Sequence, residues 1–176
     1  MRPVASVVVV NGASSAGKST LVAAAQPLLP RPFLAFGLDL LLFGAALPLD
    51  TAGRVRDWTA LRPGVLAGHR RAVRAFADTG VDVITDVVLE SQEQADDWDA
   101  VLVGLDVLWV GLHASVDELR RRERARGDRP VGDAEQDLGT VHTFHAYDLE
   151  LDSAEGVEAC ARRLAARVDS GGAPRR

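Results

Sequence analysis

Residues 4–19 read Val4-Ala5-Ser6-Val7-Val8-Val9-Val10-Asn11-Gly12-Ala13-Ser14-Ser15-Ala16-Gly17-Lys18-Ser19, and this stretch decides the fold. The run Val4 to Val10 is β-branched and short, as a buried parallel strand is. It passes directly into Gly12 to Ser19, a complete G-x-x-x-x-G-K-[ST] loop, and then into the helical sequence Thr20-Leu21-Val22-Ala23-Ala24-Ala25. A loop of this kind meets several negative charges with main-chain N–H groups at the positive end of a helix dipole. Gly12 and Gly17 permit the close approach and backbone angles that a Cβ obstructs. Lys18 is placed to bridge the β and γ phosphates of a nucleoside triphosphate, and Ser19 to coordinate magnesium. The expected cofactor-binding set is therefore Gly12, Ala13, Ser14, Ser15, Ala16, Gly17, Lys18, Ser19 and Thr20, and the expected cofactors are ATP and Mg2+.

The rest of the chain bounds what this loop can belong to. At 176 residues there is room for one domain and no separate substrate domain. Hydrophobic residues make up 47% and charged residues 26%, which suits a packed core. A formal charge of -5 provides no general positive field for a nucleic-acid backbone, so bound anions need a local site. The single cysteine, Cys160, forms no intramolecular disulfide and suits a cytoplasmic location. Neither Val4 to Val10 nor Leu40 to Leu49, interrupted by Pro48, reaches the roughly 20 apolar residues of a membrane span.

Short apolar runs alternate with helical periodicity, which predicts an α/β three-layer sandwich with a five-stranded, mostly parallel sheet. The predicted strands are Val4 to Val10, Phe33 to Phe36, Val81 to Val88, Val107 to Leu112 and Tyr147 to Leu151. Ser91 with Gln94, and Ser115 with Glu118, have capping-box spacing and predict helix starts. Pro63 to Thr79 reads as a helix closed by Gly80, and Asp152 or Ser153 as the cap of a final helix that buries Cys160. The domain spans residues 1–169, with a small lid near 120–135 and a disordered tail at 170–176.

Acidic residues at the carboxyl ends of parallel strands are well placed for chemistry. Asp39 introduces the apolar stretch Leu40-Leu41-Leu42-Phe43. Its carboxylate either takes the proton of an acceptor hydroxyl or caps a helix, and the two roles can coexist. Asp86 lies on a central strand, where an unpaired carboxylate is costly. Its partner is magnesium, directly or through a water held by Ser19, or else a hydrogen bond to a neighbouring backbone group or to the substrate. In Arg120-Arg121-Arg122-Glu123-Arg124-Ala125-Arg126-Gly127-Asp128-Arg129, most arginines read as solvated surface. Arg126 and Arg129 flank the Gly127 turn, where a mobile lid brings guanidinium groups onto a transferring phosphate. His69, His113, His142 and His145 show no metal-ligand pattern, and Trp58, Trp98 and Trp109 read as packing residues.

Asn11 to Ser19, Leu34-Ala35-Phe36-Gly37-Leu38-Asp39, Asp106 to Gly111, and Arg122 to Arg129 follow one another in the order found in the chloramphenicol phosphotransferases, which this chain resembles. Val141-His142 and Tyr147 to Asp152 extend the likeness over nearly the whole length. The resemblance implies an ATP-dependent kinase on a P-loop, nucleoside-monophosphate-kinase-like fold that phosphorylates a hydroxyl of chloramphenicol and so confers resistance. It maps the catalytic base onto Asp39, the nucleotide lysine onto Lys18, the magnesium-side hydroxyl onto Ser19 and the lid arginines onto Arg126 and Arg129. The chain departs from the family where Asp86 is followed by Val87 rather than a second acid, and where the Asp39–Gly80 region is shorter. The expected partner is a small-molecule hydroxyl acceptor, with no nucleic acid and no membrane. Two alternatives remain: a small kinase of a nucleotide, nucleoside or sugar, and an ATP-binding switch that acts through a protein partner.

Overall fold

Parallel β1 (Ser6–Asn11), β2 (Leu34–Ala35), β3 (Val83–Val87), β4 (Asp106–His113) and β5 (Leu149–Asp152) make one sheet in the order β2-β3-β1-β4-β5. The structure is a computed structural model that describes residues 5–44, 46–51, 54–126 and 138–170. Helices α1 (Lys18–Ala25), α2 (Leu38–Phe43), α3 (Trp58–Asp78), α4 (Gln92–Leu102), α5 (Val116–Arg126) and α6 (Val157–Asp169) fill the connections. Every residue of β1 and β3 is buried, so successive side chains supply opposite cores. Val8 and Val10 pack with Leu21 of α1 and Leu164 of α6. Val7 and Val9 pack with Val73 of α3 and Trp98 of α4. The expected three-layer sandwich with five parallel strands is thus the observed one.

Element boundaries differ from the sequence expectations where tertiary contacts outweigh local pattern. The second strand contracts to two residues, and the fifth begins at Leu149 because Tyr147 leaves the strand and lays its ring against Gly111. A Cβ on Gly111 would fall 2.5 Å from that ring. Helix α3 begins at Trp58, not Pro63, and carries the proline inside. Asp57 Cα turns the chain with φ 52°, and its carbonyl accepts from Ala60 and Leu61, so the first turn is closed before the proline arrives. Pro63 then removes a single bond from the ladder. Gly80, at φ 84°, ends this helix as expected.

The caps follow the predicted residues in part. Ser91 Oγ accepts from Gln94 N at 3.3 Å, while Gln94 Oε1 reaches past it to Glu90 N. Ser115 Oγ accepts from Glu118 N, but the Glu118 carboxylate turns to Arg121 and Arg122 instead of closing the box. Asp152 caps a single 3-10 turn, Ser153–Glu155, through Ala154 N, and α6 starts later after Gly156. Cys160 is buried on the apolar face of α6, as predicted, and its thiol donates to Asp152 O. Trp98 and Trp109 are buried core residues. No helix among the described residues is long and apolar enough to cross a membrane.

The connection leaving β1 runs to α1 on the face of Val8 and Val10, and that leaving neighbouring β3 runs to α4 on the face of Val7 and Val9, so the two diverge and open a crevice at the carboxyl ends of β1 and β3. Gly12 begins there.

Candidate functional site

The loop leaving β1 is shaped by its backbone. Ser15 (φ 61°) and Gly17 (φ 97°) lie in the left-handed region, and such alternation turns main-chain N–H groups toward one concave side. Glycine is obligatory at position 12, because a Cβ there would stand 2.5 Å from Leu112 O on β4. Ala16 N donates to Ala13 O, and Leu21 N to Gly17 O, closing the turn into α1. Lys18 is only 8% exposed, and its ammonium donates to Gly12 O at 2.9 Å and Ala13 O at 2.8 Å. Its charge therefore sits inside the concavity of the loop. That geometry fits a polyphosphate: a glycine-bounded cradle with a buried ammonium and a helix N-terminus.

Beside the lysine, three oxygen-bearing side chains from three elements converge. Ser19 Oγ, in the first turn of α1, is 3.1 Å from Asp86 Oδ2 on β3 and 3.4 Å from Asp39 Oδ2 on α2. One hydroxyl proton serves only one carboxylate at a time, so two like charges face each other across it. Burial pushes the Asp86 carboxyl above the usual carboxylate range; Lys18 opposes this, and Asp39 adds to it. Two carboxylates and a hydroxyl are hard oxygen donors of the kind that suit a magnesium ion.

The Phe-Gly-x-Asp segment gains a second purpose here. A Cβ on Gly37 would fall 2.0 Å from Asp86 Oδ1, so glycine at 37 is what lets Asp86 occupy its place. Phe36, just before it, is held on both sides: its N–H donates to Ile84 O, and its carbonyl accepts from Thr85 Oγ1 at 2.8 Å and from His69 Nε2 at 2.9 Å. A carbonyl only accepts, so His69 carries its proton on Nε2. Burial lowers the His69 pKa, which favours the neutral ring. This brace fixes the start of α2. Gly37 is the N-cap of that helix and Asp39 lies in its first turn without a capping bond, so the capping alternative for Asp39 is set aside.

Arg122 was not expected at the loop. It is half-buried, donates from Nη1 to Ala16 O at 2.6 Å, and pairs through Nε with Glu118 Oε1. A Cβ on Gly17 would meet its Nη1 at 2.9 Å. Most arginines of this cluster read as solvated surface from the sequence, and Arg122 is an exception. The i,i+4 relation of Glu118 and Arg122 was the available signal, since it restrains one arginine of the cluster. Arg126 ends α5 with its side chain outside the described residues, and Arg129 lies outside them entirely, with lid positions 127–135 and tail positions 171–176. An open depression of about 620 Å³ lies at the start of α3, walled by Arg54, Arg56 and Trp58. None of Lys18, Ser19, Asp39 or Asp86 lines it, so convergent side chains rather than that hollow define the site.

Comparison with known proteins bears on the family and the fold. The profile described as chloramphenicol phosphotransferase-like protein matches residues 5–169. Two Mycobacterium tuberculosis proteins, from strains CDC 1551 / Oshkosh and ATCC 25618 / H37Rv, carry the provisional name O-phosphotransferase. Each is 38% identical over 186 residues, covering 92% of this chain and 81% of the relative. Among solved structures, the M. tuberculosis APS kinase in complex with AMPPNP and APS is similar at TM-score 0.69 and 18% identity, covering 95% of this chain and 99% of that one. The Acinetobacter baumannii shikimate kinase in complex with shikimate is similar at TM-score 0.63 and 16% identity, covering 98% and 97%. These two establish a shared P-loop kinase fold. With the profile spanning almost the whole chain, the protein belongs to the chloramphenicol phosphotransferase-like family and is a phosphotransferase by family and fold.

Proposed function

We propose that this protein is an ATP- and magnesium-dependent O-phosphotransferase that phosphorylates a hydroxyl of a small molecule, with chloramphenicol or a related antibiotic as the leading acceptor and resistance by inactivation as the consequence. The observation that carries the reading is the meeting of Ser19, Asp39 and Asp86 beside the buried Lys18 ammonium. Residues 1–169 act as one domain, with a lid near 120–135.

Bound ATP with Mg2+ supplies the phosphoryl group and much of its charge neutralisation. Residues 12–20 hold the phosphates, and Lys18 exchanges its loop carbonyls for phosphate oxygens. Ser19 and Asp86 would hold the metal. Asp39 orients the acceptor hydroxyl and takes its proton as transfer proceeds. Arg126 and Arg129 supply further cationic donors to the moving phosphoryl group. The half-buried Leu38 and the exposed Leu40 flank Asp39, which favours an acceptor with apolar surface next to its hydroxyl.

The test is mass spectrometry of a panel of chloramphenicol-type antibiotics, sugars, nucleosides and nucleotides after incubation with ATP and Mg2+. Addition of one phosphoryl group to an apolar antibiotic alcohol is the expected result. Phosphorylation of only sugars or nucleotides replaces the acceptor class, and phosphate release without any acceptor dependence replaces the reading with an ATPase switch.

A further inference from the structure

A second polar cluster borders the phosphate loop on its β4 side, and the reaction outlined above does not use it. Asn11, the last residue of β1, is fully buried. Its Oδ1 accepts from the backbone N–H of Leu89 at 3.0 Å, and its Nδ2 donates to Val141 O at 2.8 Å. Two main-chain groups of fixed polarity therefore set which way the amide faces. The same Nδ2 lies 2.7 Å from the Tyr147 phenol oxygen, to which it donates. The Tyr147 hydroxyl then has His142 Nδ1 at 2.9 Å and Val141 O at 3.4 Å within reach as acceptors. The shorter contact is the hydrogen bond of ordinary length. Polarity thus passes from Leu89 through Asn11 and Tyr147 to His142, whose Nδ1 accepts and whose Nε2 carries the proton.

The ring itself is clamped. His142 stacks on His113, the last residue of β4, with centroids 4.0 Å apart, and meets Tyr147 edge-on. His113 Nε2 is 3.0 Å from Glu150 Oε2 on β5. Among the described residues, the His142 Nε2–H has no partner. The titratable groups acting on the ring are His113 from β4, Glu150 from β5, Lys18 from α1 and Tyr147 from its own segment. Burial, then His113, and more weakly Lys18, lower its pKa to about 4 against the opposing Glu150. The ring is thus a neutral donor at physiological pH. It stacks on His113, which follows Leu112, the residue whose carbonyl packs against Gly12, and the Lys18 charge acts on it.

We propose that His142 is a phosphate-contacting residue, giving its Nε2–H to a non-bridging oxygen of the bound nucleoside triphosphate, with Asn11 and Tyr147 as the positioning residues that fix its tautomer. This rests on the nucleotide-dependent reading above. A neutral donor supplies direction next to Lys18 without adding a second buried positive charge.

Nitrogen-resolved histidine NMR on the full chain, with and without adenosine 5′-(β,γ-imido)triphosphate and Mg2+, reads this without turnover. The expected result is an unprotonated Nδ1 and protonated Nε2 for His142 from pH 5.5 to 8, and a shift of the Nε2–H signal on adding the analogue. His142→Asn keeps an acceptor near Nδ1 for Tyr147 but has no atom at Nε2, whereas His142→Gln extends an amide to that position. Asn should weaken analogue binding or lower kcat roughly 10-fold at wild-type thermal stability, as loss of one good hydrogen bond does, and Gln should recover most of it. An Nδ1–H tautomer, an Nε2 signal unmoved by a bound analogue, or equal losses of stability and activity in both variants would overturn the proposal. Failure of the wild type to bind the analogue would sink the nucleotide reading itself, and with it this inference.

Discussion

The two sides of the phosphate loop are built differently. Toward β3 and β4, polar groups are locked by buried partners from other elements, Asn11 by Leu89, Val141 and Tyr147 and Phe36 by Thr85 and His69, while Lys18 is held by the loop itself. Between α2 and α3, the described residues 46–51 and 54–57 are joined by local contacts. These include an isolated bridge between Leu49 and Val55 and an Arg54–Asp50 pair four residues apart. Leu40 is 59% and Leu49 46% exposed. The Gly12–Ser19 loop is fixed by main-chain geometry that tolerates little change, while the described residues between α2 and α3, which the proposed function sets toward the acceptor, are joined mainly by local contacts. Substitutions on the first side should alter the reaction with every acceptor, and those on the second should alter which acceptor is used.

The largest expected effect breaks the contrast at its centre. Asp39→Asn should keep nucleotide binding yet lower turnover by roughly 10²–10⁴-fold, the range for a positioned acid–base group. Single-turnover kinetics with calorimetry separates the two. Asp86→Asn comes next. Because burial raises the Asp86 pKa, the ionised group is disfavoured in the metal-free fold, so the amide should raise the melting temperature at pH 7 while activity falls by roughly 10²-fold and its magnesium dependence changes. An unchanged magnesium titration would remove Asp86 from the metal site.

Gly37→Ala tests the coupling of α2 to β3. The added methyl collides with Asp86 Oδ1, so both metal dependence and acceptor use should suffer, and an unaffected enzyme would show that α2 shifts freely. Leu40→Ser should leave stability within about 0.5 kcal/mol, as exposed positions generally do, and change KM for the acceptor but not for ATP. The smallest effect is a pH dependence. The His142 pKa of about 4 lies below the unfolded histidine value near 6.5. Between these values the unfolded chain binds more protons, so stability falls as pH drops from about 6.5 toward 4. Urea midpoints of His142→Gln should depend less steeply on pH over that window than those of the wild type.

What was legible in the sequence was local. The loop from Gly12 to Ser19 announces itself because its chemistry lies in consecutive main-chain groups, and Ser91 and Gly80 mark helix ends through bonds spanning a few residues. The Asp39 and Asp86 carboxylates stood out as acids at strand ends, and the structure brings both to Ser19. Arg122 was hidden among five arginines within Arg120 to Arg126, because which one reaches Ala16 O depends on how α5 sits against the loop. His69 lies 33 residues from the Phe36 carbonyl it supports, and nothing in its helix points there. The start of α3 at Trp58 was missed because proline dominates the local pattern, while the preceding turn is closed by the Asp57 carbonyl.

The lone thiol supplies an unplanned gauge. Cys160 is 2% exposed, burial raises its pKa, and its hydrogen goes to Asp152 O, so alkylating reagents reach it only when α6 lifts from the sheet. Labelling rate therefore clocks that detachment with no added probe. Where opening is slow to be captured and a ligand binds only the closed form, protection grows as 1 + [L]/Kd, so ATP affinity can be ranked across variants by mass spectrometry before any acceptor has been found.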